Sequence, residues 1–525
     1  MMKKVTLKQI HQLRQAITEC NPAAVDTVLR SSDKAEFSAQ SLIGYHDALL
    51  FLAAYPPSAE LYKTALARLK EFDKRVKTFA RKSRTNIDLL VNSGINGSEV
   101  QGAFTLPFLH EVVSVSPANI ELHSFGETDG DAGEILKPYV LSTESDLCES
   151  QFAIEELAEK LFGRKNQLHK LVQLFSTADV PEAIRENHFS KLNVFATLKL
   201  NSGYNGRTTS ILKCADPFVH HEFIRKTDPI VFVNTPIPAA SQLSLASKAG
   251  LRQTAMRMLA SLSRETDPIT LSEDSSLEYF ELERGVSIAL FSMSPERRMP
   301  LDSYIGYMLF KNGVPLAYGG SWIFGNRALF GINIFEPFRG GESNLIILQL
   351  LRVYRQHFGI DSFSVEPYQY GKDNPEGIAS GAYWFYYKLG FRSDDKHLRS
   401  LADAEMKRMK SNKEYRSSSK VLQRFTASNI TWIINPAVKI APDPTSIAAS
   451  ITKNVLKNSD GDRNSHIAAL RKNSEVIDGS SDIILLLLEA LKVKAESAGS
   501  AAMKLSELKN TSEREYNHEL KKWLF

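Results

Sequence analysis

Between Tyr304 and Arg392 the chain reads as three strand-forming runs, a glycine-rich turn opening an apolar helix, another strand and an aromatic helix. No other stretch constrains the fold as tightly. Tyr304 to Phe310 and Val314 to Phe324 flank Lys311-Asn312-Gly313, and Asn-Gly supplies the positive backbone dihedrals of a tight hairpin. A second turn at Gly325-Asn326 leads to Ala328 to Phe335, so three successive antiparallel strands are expected. Pro337-Phe338-Arg339-Gly340-Gly341-Glu342-Ser343 then opens a helix from Asn344 to Phe358, whose Ile347, Leu351, Tyr354 and Phe358 recur at helical spacing. Ser362 to Glu366 reads as a strand, Tyr370 to Pro375 as a loop, and Gly381 to Leu389 as a helix closed by Gly390.

The two glycines let a ligand approach the backbone, and free amides at a helix N-terminus favour an anion. Such turns are structural more often than they are phosphate sites, so this one gains weight only from its surroundings. Downstream, Ala382-Tyr383-Trp384-Phe385-Tyr386-Tyr387-Lys388-Leu389-Gly390-Phe391 matches every fixed position of the form A-x-x-[LF]-Y-x-K-x-G-F. With the glycine turn after a strand, this segment resembles the GNAT acyltransferase superfamily over about residues 304–392.

The resemblance implies an α/β fold, a GNAT-like mixed sheet with flanking helices, to which largely α-helical N- and C-terminal extensions are added. It also implies an acyl-coenzyme-A-dependent N-acyltransferase, with acetyl-CoA or another acyl-CoA as donor, an unidentified amine as acceptor and no metal. The coenzyme would lie across splayed strand ends, with Phe338, Arg339, Gly340, Gly341, Glu342 and Ser343 around its pyrophosphate and Asn374 nearby. Tyr386 inherits the role of protonating the departing thiolate. The loop departs from the family form [QR]-x-x-G-x-[GA]. Starting at Arg339 puts Glu342 and Asn344 at the small-residue positions, whereas starting at Phe338 restores Gly341 and Ser343 but loses the polar opening residue; the second register is preferred, because backbone amides hold pyrophosphate more than the opening side chain does. An Asn often found three residues before the motif's Ala is Ala379 here.

The amine must lose a proton, which a carboxylate accepts best when partial burial raises its pKa. Glu336, closing the strand before the turn, and Glu366, closing the next, are the candidates. Each competes with a solvated strand end, Tyr386 with a place in an aromatic core, and Arg339 with an ordinary surface role. Two further readings keep the fold: a GNAT-like binding or scaffold protein that has lost catalysis, and a Fem-type transferase using aminoacyl-tRNA.

At 525 residues several domains are expected, partitioned as a mainly helical module over 1–190, the GNAT-like domain over 191–400 and a helical extension over 401–525. Residues 7–82 read as helical throughout, and 83–190 as short helices such as Phe152 to Phe162 between glycine- and Asp-rich turns. Val194 to Leu200, Thr208 to Leu212, Ile230 to Val233 and Ser287 to Met293 are read as strands, Leu243 to Leu262 as a helix. Beyond Arg392, Leu401 to Lys410 and Asp482 to Lys494 read as helices. The apolar Ile483 to Leu491 run suits a core or oligomer helix, making the extensions candidates for homo-oligomer assembly.

The net charge of +4 is small for this length and disfavours nucleic acid and membrane surfaces as partners. Cys20, Cys148 and Cys214 lie far apart in no ligand spacing, so neither a disulfide scaffold nor structural zinc is expected. Adjacent His220 and His221 on a strand would point to opposite faces and not converge on one ion. The first residues lack the apolar core of a secretory signal, and no apolar run approaches a membrane span, so a cytoplasmic location is expected.

Overall fold

The computed structural model describes residues 4–33, 35–477 and 479–525, without the side chains of Arg84 and Ser480. It is a mixed α/β protein built on two sheets. The smaller is antiparallel, with the central strand coming last in sequence: β1 (Glu99–Ala103), β3 (Val194–Lys199) and β2 (Ile120–Phe125), in that order. Val194 to Leu200, read as the opening strand of the acyltransferase-like segment, therefore hydrogen-bonds into the N-terminal part of the chain.

The larger sheet contains β4 (Glu278–Glu281), β5 (Val286–Ser292), β6 (Ser303–Lys311), β7 (Val314–Phe324), β8 (Arg327–Ile334), β9 (Ser362–Val365), β10 (Arg392–Ser393) and β11 (Ile430–Ile433). Its spatial order is β10-β11-β9-β8-β7-β6-β5-β4. The β6–β7 hairpin turns at Asn312 (φ 48°) and Gly313 (φ 80°), the left-handed pair expected of Asn-Gly. β5 is buried at every position, as befits a strand covered on both faces. The strand β11 arrives late in the chain and pairs antiparallel with both β9 and β10.

One pairing differs from the rest. β8 and β9 run parallel and pair only through Arg327, Ala328 and Leu329 opposite Ser362, Phe363 and Ser364. Beyond Leu329, β8 continues to Ile334 against β7 alone, so the sheet opens into a seam. The connection across this seam is the helix Ser343–Val353, in which every residue from Leu345 to Val353 is buried.

The N-terminal helices begin at polar caps, Thr6 with its capping box to Gln9, and Ser38 and Ser58 accepting the Ser41 and Leu61 amides. One hydrophobic core runs from Val5 to Ile434, and a second joins the C-terminal helices to Phe324 of β7. No helix among the described residues is long and apolar enough to cross a membrane.

Two strand expectations are corrected. Thr208 to Leu212 is irregular, because Thr208 is drawn into contacts with the His46 ring and the Asn96 amide, and Arg207 with Ser93 O and Asp47. Ile230 to Val233 lies in the short helix Pro229–Val233, which Asp228 caps and Pro229 opens. The helical reading of 7–82 holds through five helices from Leu7 to Ala80. The strands β1, β2, β4, β10 and β11 were not anticipated.

Candidate functional site: two cavities at an open strand seam

The turn after β8 is shaped from behind. A single 3-10 turn, Glu336–Phe338, leads into Arg339 and then Gly340, whose φ of 85° suits glycine. Arg14 donates to the Arg339 carbonyl (3.1 Å), and Arg225 donates to the carbonyls of Gly340 (2.9 Å) and Gly341 (3.0 Å). The Gly341 amide is satisfied by Phe338 O, and the Glu342 amide faces the Tyr55 hydroxyl at 3.5 Å. That leaves the amides of Gly340, Ser343, Asn344 and Leu345 without backbone or side-chain partners among the described residues at the start of a helix, the arrangement that receives an anion.

Glu342 holds this turn to the body of the protein. Its carboxylate is buried between Arg284 (2.6 Å) and Lys311 (2.9 Å) and accepts the Ile224 amide (2.9 Å), while His220 Nε2 stands 3.5 Å away. Burial alone would raise this carboxyl, but the His220 contact, the Lys311 ammonium and the Ile224 amide outweigh it and hold it far below the usual range. Desolvation lowers Lys311 to about 8 against the pull of Glu342, and lowers His220 to about 4, so the imidazole is neutral near pH 7.

In front of the turn, a cavity of about 420 Å³ is bounded by Ile334, Gly340, Ser343, Asn374, Ser380 and Tyr386. The Tyr386 ring packs against Phe330, Phe385 and Phe391, leaving the residue 4% exposed. Its hydroxyl has no hydrogen-bond partner among the described residues, and burial pushes its pKa well up, so the phenol keeps its proton.

The expected site residues do not all converge. Gly340, Ser343, Arg339, Asn374 and Tyr386 border this cavity, but Phe338 is buried in the core and the Glu342 carboxylate points into its ion cluster. Arg339 is half exposed and pairs with Glu376, while Asn374 caps the helix Pro375–Ser380 through the Gly377 amide (3.2 Å). Glu336 is exposed and lines neither this cavity nor its neighbour.

Across the seam lies a second cavity of about 270 Å³, bordered by Glu366. The two share Asn333 and Gln369, and Gln369 Oε1 accepts the Ile332 amide (3.2 Å) on the edge of β8 that β9 leaves open. Gln369 and Glu265, which also borders the second cavity, were missed by sequence reasoning; no local motif marks either. Desolvation first, and the Asp267 carboxylate second, push the Glu265 carboxyl up. His220 lies in an irregular segment, and no cluster of metal-ligating side chains occurs among the described residues. Comparisons with family models, curated proteins and solved structures found nothing that matches this chain.

Proposed function

We propose that the protein is an acyl-CoA-dependent N-acyltransferase of the GNAT kind. The observation that carries this reading is the meeting, on one cavity at a parallel strand split, of Gly340 and Ser343, whose amides have no partner among the described residues, with the protonated, unpartnered Tyr386 hydroxyl. The antiparallel run β4 to β8 followed by the parallel, partly paired β9 supports the same fold assignment.

The amides of Gly340, Ser343, Asn344 and Leu345 would receive the coenzyme pyrophosphate, and the acyl end of acetyl-CoA or another acyl-CoA would reach the seam. A neutral amine entering from the second cavity attacks the thioester carbonyl. The C–N bond forms, the C–S bond breaks, and Tyr386 gives its proton to the leaving sulfur. The proton shed by the amine passes to Glu265 or Glu366 directly or through water, and solvent restores the phenol.

A binding or scaffold protein without turnover is the second reading, favoured by Gln369, whose side chain occupies the Ile332 amide at the open edge of β8. Calorimetry with acetyl-CoA and longer acyl-CoAs tests donor binding, and free-thiol release with candidate amines tests turnover. Binding with thiol release supports transfer. Binding with none for any amine favours the scaffold, and no binding removes the assignment.

A further inference from the structure

The second cavity is lined by glycines, aromatic rings and two carboxylates. Glycines of two neighbouring strands, Gly319 and Gly320 of β7 and Gly331 of β8, line it, and Gly320 pairs with Gly331. A Cβ at Gly320 would collide with the Tyr304 hydroxyl, and one at Gly331 would stand 2.7 Å from Gln369 Nε2. The missing side chains therefore make room for Tyr304 and Gln369, whose side chains line the cavity. Its walls are aromatic, with Tyr304 and Trp322 at 4.5 Å between ring centroids and Tyr307 tied to Gly331 O.

Two carboxylates, Glu265 and Glu366, border it, and among the described residues no Lys or Arg does. Arg264 is close enough to act electrostatically on Tyr318 but does not line the cavity. Carboxylates attract an ammonium, and the faces of Trp and Tyr stabilise a cation further. A ligand bearing a carboxylate or phosphate would meet like charge with no counterion. The volume of about 270 Å³ lies just below the roughly 300 Å³ at which small-molecule sites begin, so only a very small ligand fits.

We infer that this cavity binds a small cationic amine carrying no anionic group, of the size of a short alkyl diamine, and excludes amino acids. That this amine is the acyl acceptor rests on the transferase reading; that it binds here does not.

The matched probes are 1,4-diaminobutane and 4-aminobutanoate, which share a chain and differ in replacing one amine by a carboxylate. Calorimetry on the full chain, with and without acetyl-CoA, should show 1,4-diaminobutane binding at least tenfold more tightly than 4-aminobutanoate. The double variant Glu265→Gln and Glu366→Gln, folded by thermal denaturation, should lose at least tenfold in diamine affinity. Should that variant fail to fold, Glu366→Gln alone, at an exposed position, must still weaken the diamine. Equal or tighter binding of 4-aminobutanoate, unchanged diamine affinity in a folded variant, or no diamine binding under either condition overturns the inference. Diamine binding without any acyl-CoA binding would sink the transferase reading and leave this one standing; acyl-CoA binding without the diamine would do the reverse.

Discussion

The two cavities share the edge of one strand, yet they are built by different means. On one side, a turn with unpartnered amides at Gly340 and Ser343 borders the cavity, and the charge cluster of Glu342 behind the turn holds it in place. On the other, scattered carboxylates and aromatic rings stand beside the glycines of two strands. Backbone chemistry suits a recurring group such as a phosphate, whereas side chains set preferences among ligands. The first cavity should therefore fail when its scaffold is disturbed, and the second when single charges are changed.

The largest expected effect strikes the scaffold of the first cavity. Glu342→Gln leaves the buried Lys311 and the half-buried Arg284 without their anion, and breaking one side of a buried pair costs on the order of 3–5 kcal/mol. Denaturation should show that loss, together with loss of acyl-CoA binding. A variant of wild-type stability would mean the cluster does not hold the turn.

Acid should act on the same side. His220 is neutral in the fold with its pKa near 4, while in the unfolded chain it protonates near 6.5. The unfolded state thus binds the extra proton first, and stability present above pH 6.5 is lost as pH falls toward 4, by on the order of 3 kcal/mol for a shift of this size. Thermal midpoints measured at pH 7 and pH 4.5 check this, with His220→Gln expected to flatten the slope. An identical slope in that variant would place the acid sensitivity elsewhere, for instance at His46, which burial also lowers to about 4.

Tyr386→Phe separates chemistry from binding. It keeps the ring and its packing but removes the proton, so turnover should fall by roughly a hundredfold with donor affinity nearly unchanged. Unchanged turnover would make Tyr386 a core residue. The smallest effect concerns the turn itself. A Cβ at Gly340 meets nothing in the protein within 4 Å, whereas one at Gly341 stands 2.7 Å from the Tyr55 hydroxyl. Gly340→Val is therefore the cleaner probe of ligand approach, although its positive φ adds strain. It should weaken acyl-CoA by about tenfold, or roughly 1.4 kcal/mol; unaltered affinity in a folded variant removes the turn from the donor site.

The difference between the cavities also decides what could be read in the sequence. The β6–β7 hairpin was visible because Asn312-Gly313 has one strongly preferred geometry, and the turn at Gly340 because it comes after a strand and precedes a periodic helix. Tyr386 came from a contiguous motif. Glu265 and Gln369 were not legible, since they lie about a hundred residues apart in unremarkable surroundings and meet only when the sheet opens. Glu342 was expected beside the pyrophosphate; its role depends on His220, Arg284 and Lys311, which come from three other segments. Ile230 to Val233 misled because its branched residues suggest a strand. The Asp228-Pro229 pair, a helix-start signal, was there to be weighed against them. The strands β4 and β11 are four residues each and too short to show a period.

The division of labour across β8 is tested most directly by amide hydrogen exchange of the full chain with acetyl-CoA alone, 1,4-diaminobutane alone and both together. Acetyl-CoA should slow exchange at Gly340 and at Ser343 to Leu345, whose amides have no partner among the described residues, and the diamine should slow exchange around Glu265 and Trp322 to Gly331. Protection of both regions by the same single ligand, or of neither by acetyl-CoA, would contradict a donor site and an acceptor site meeting at the seam.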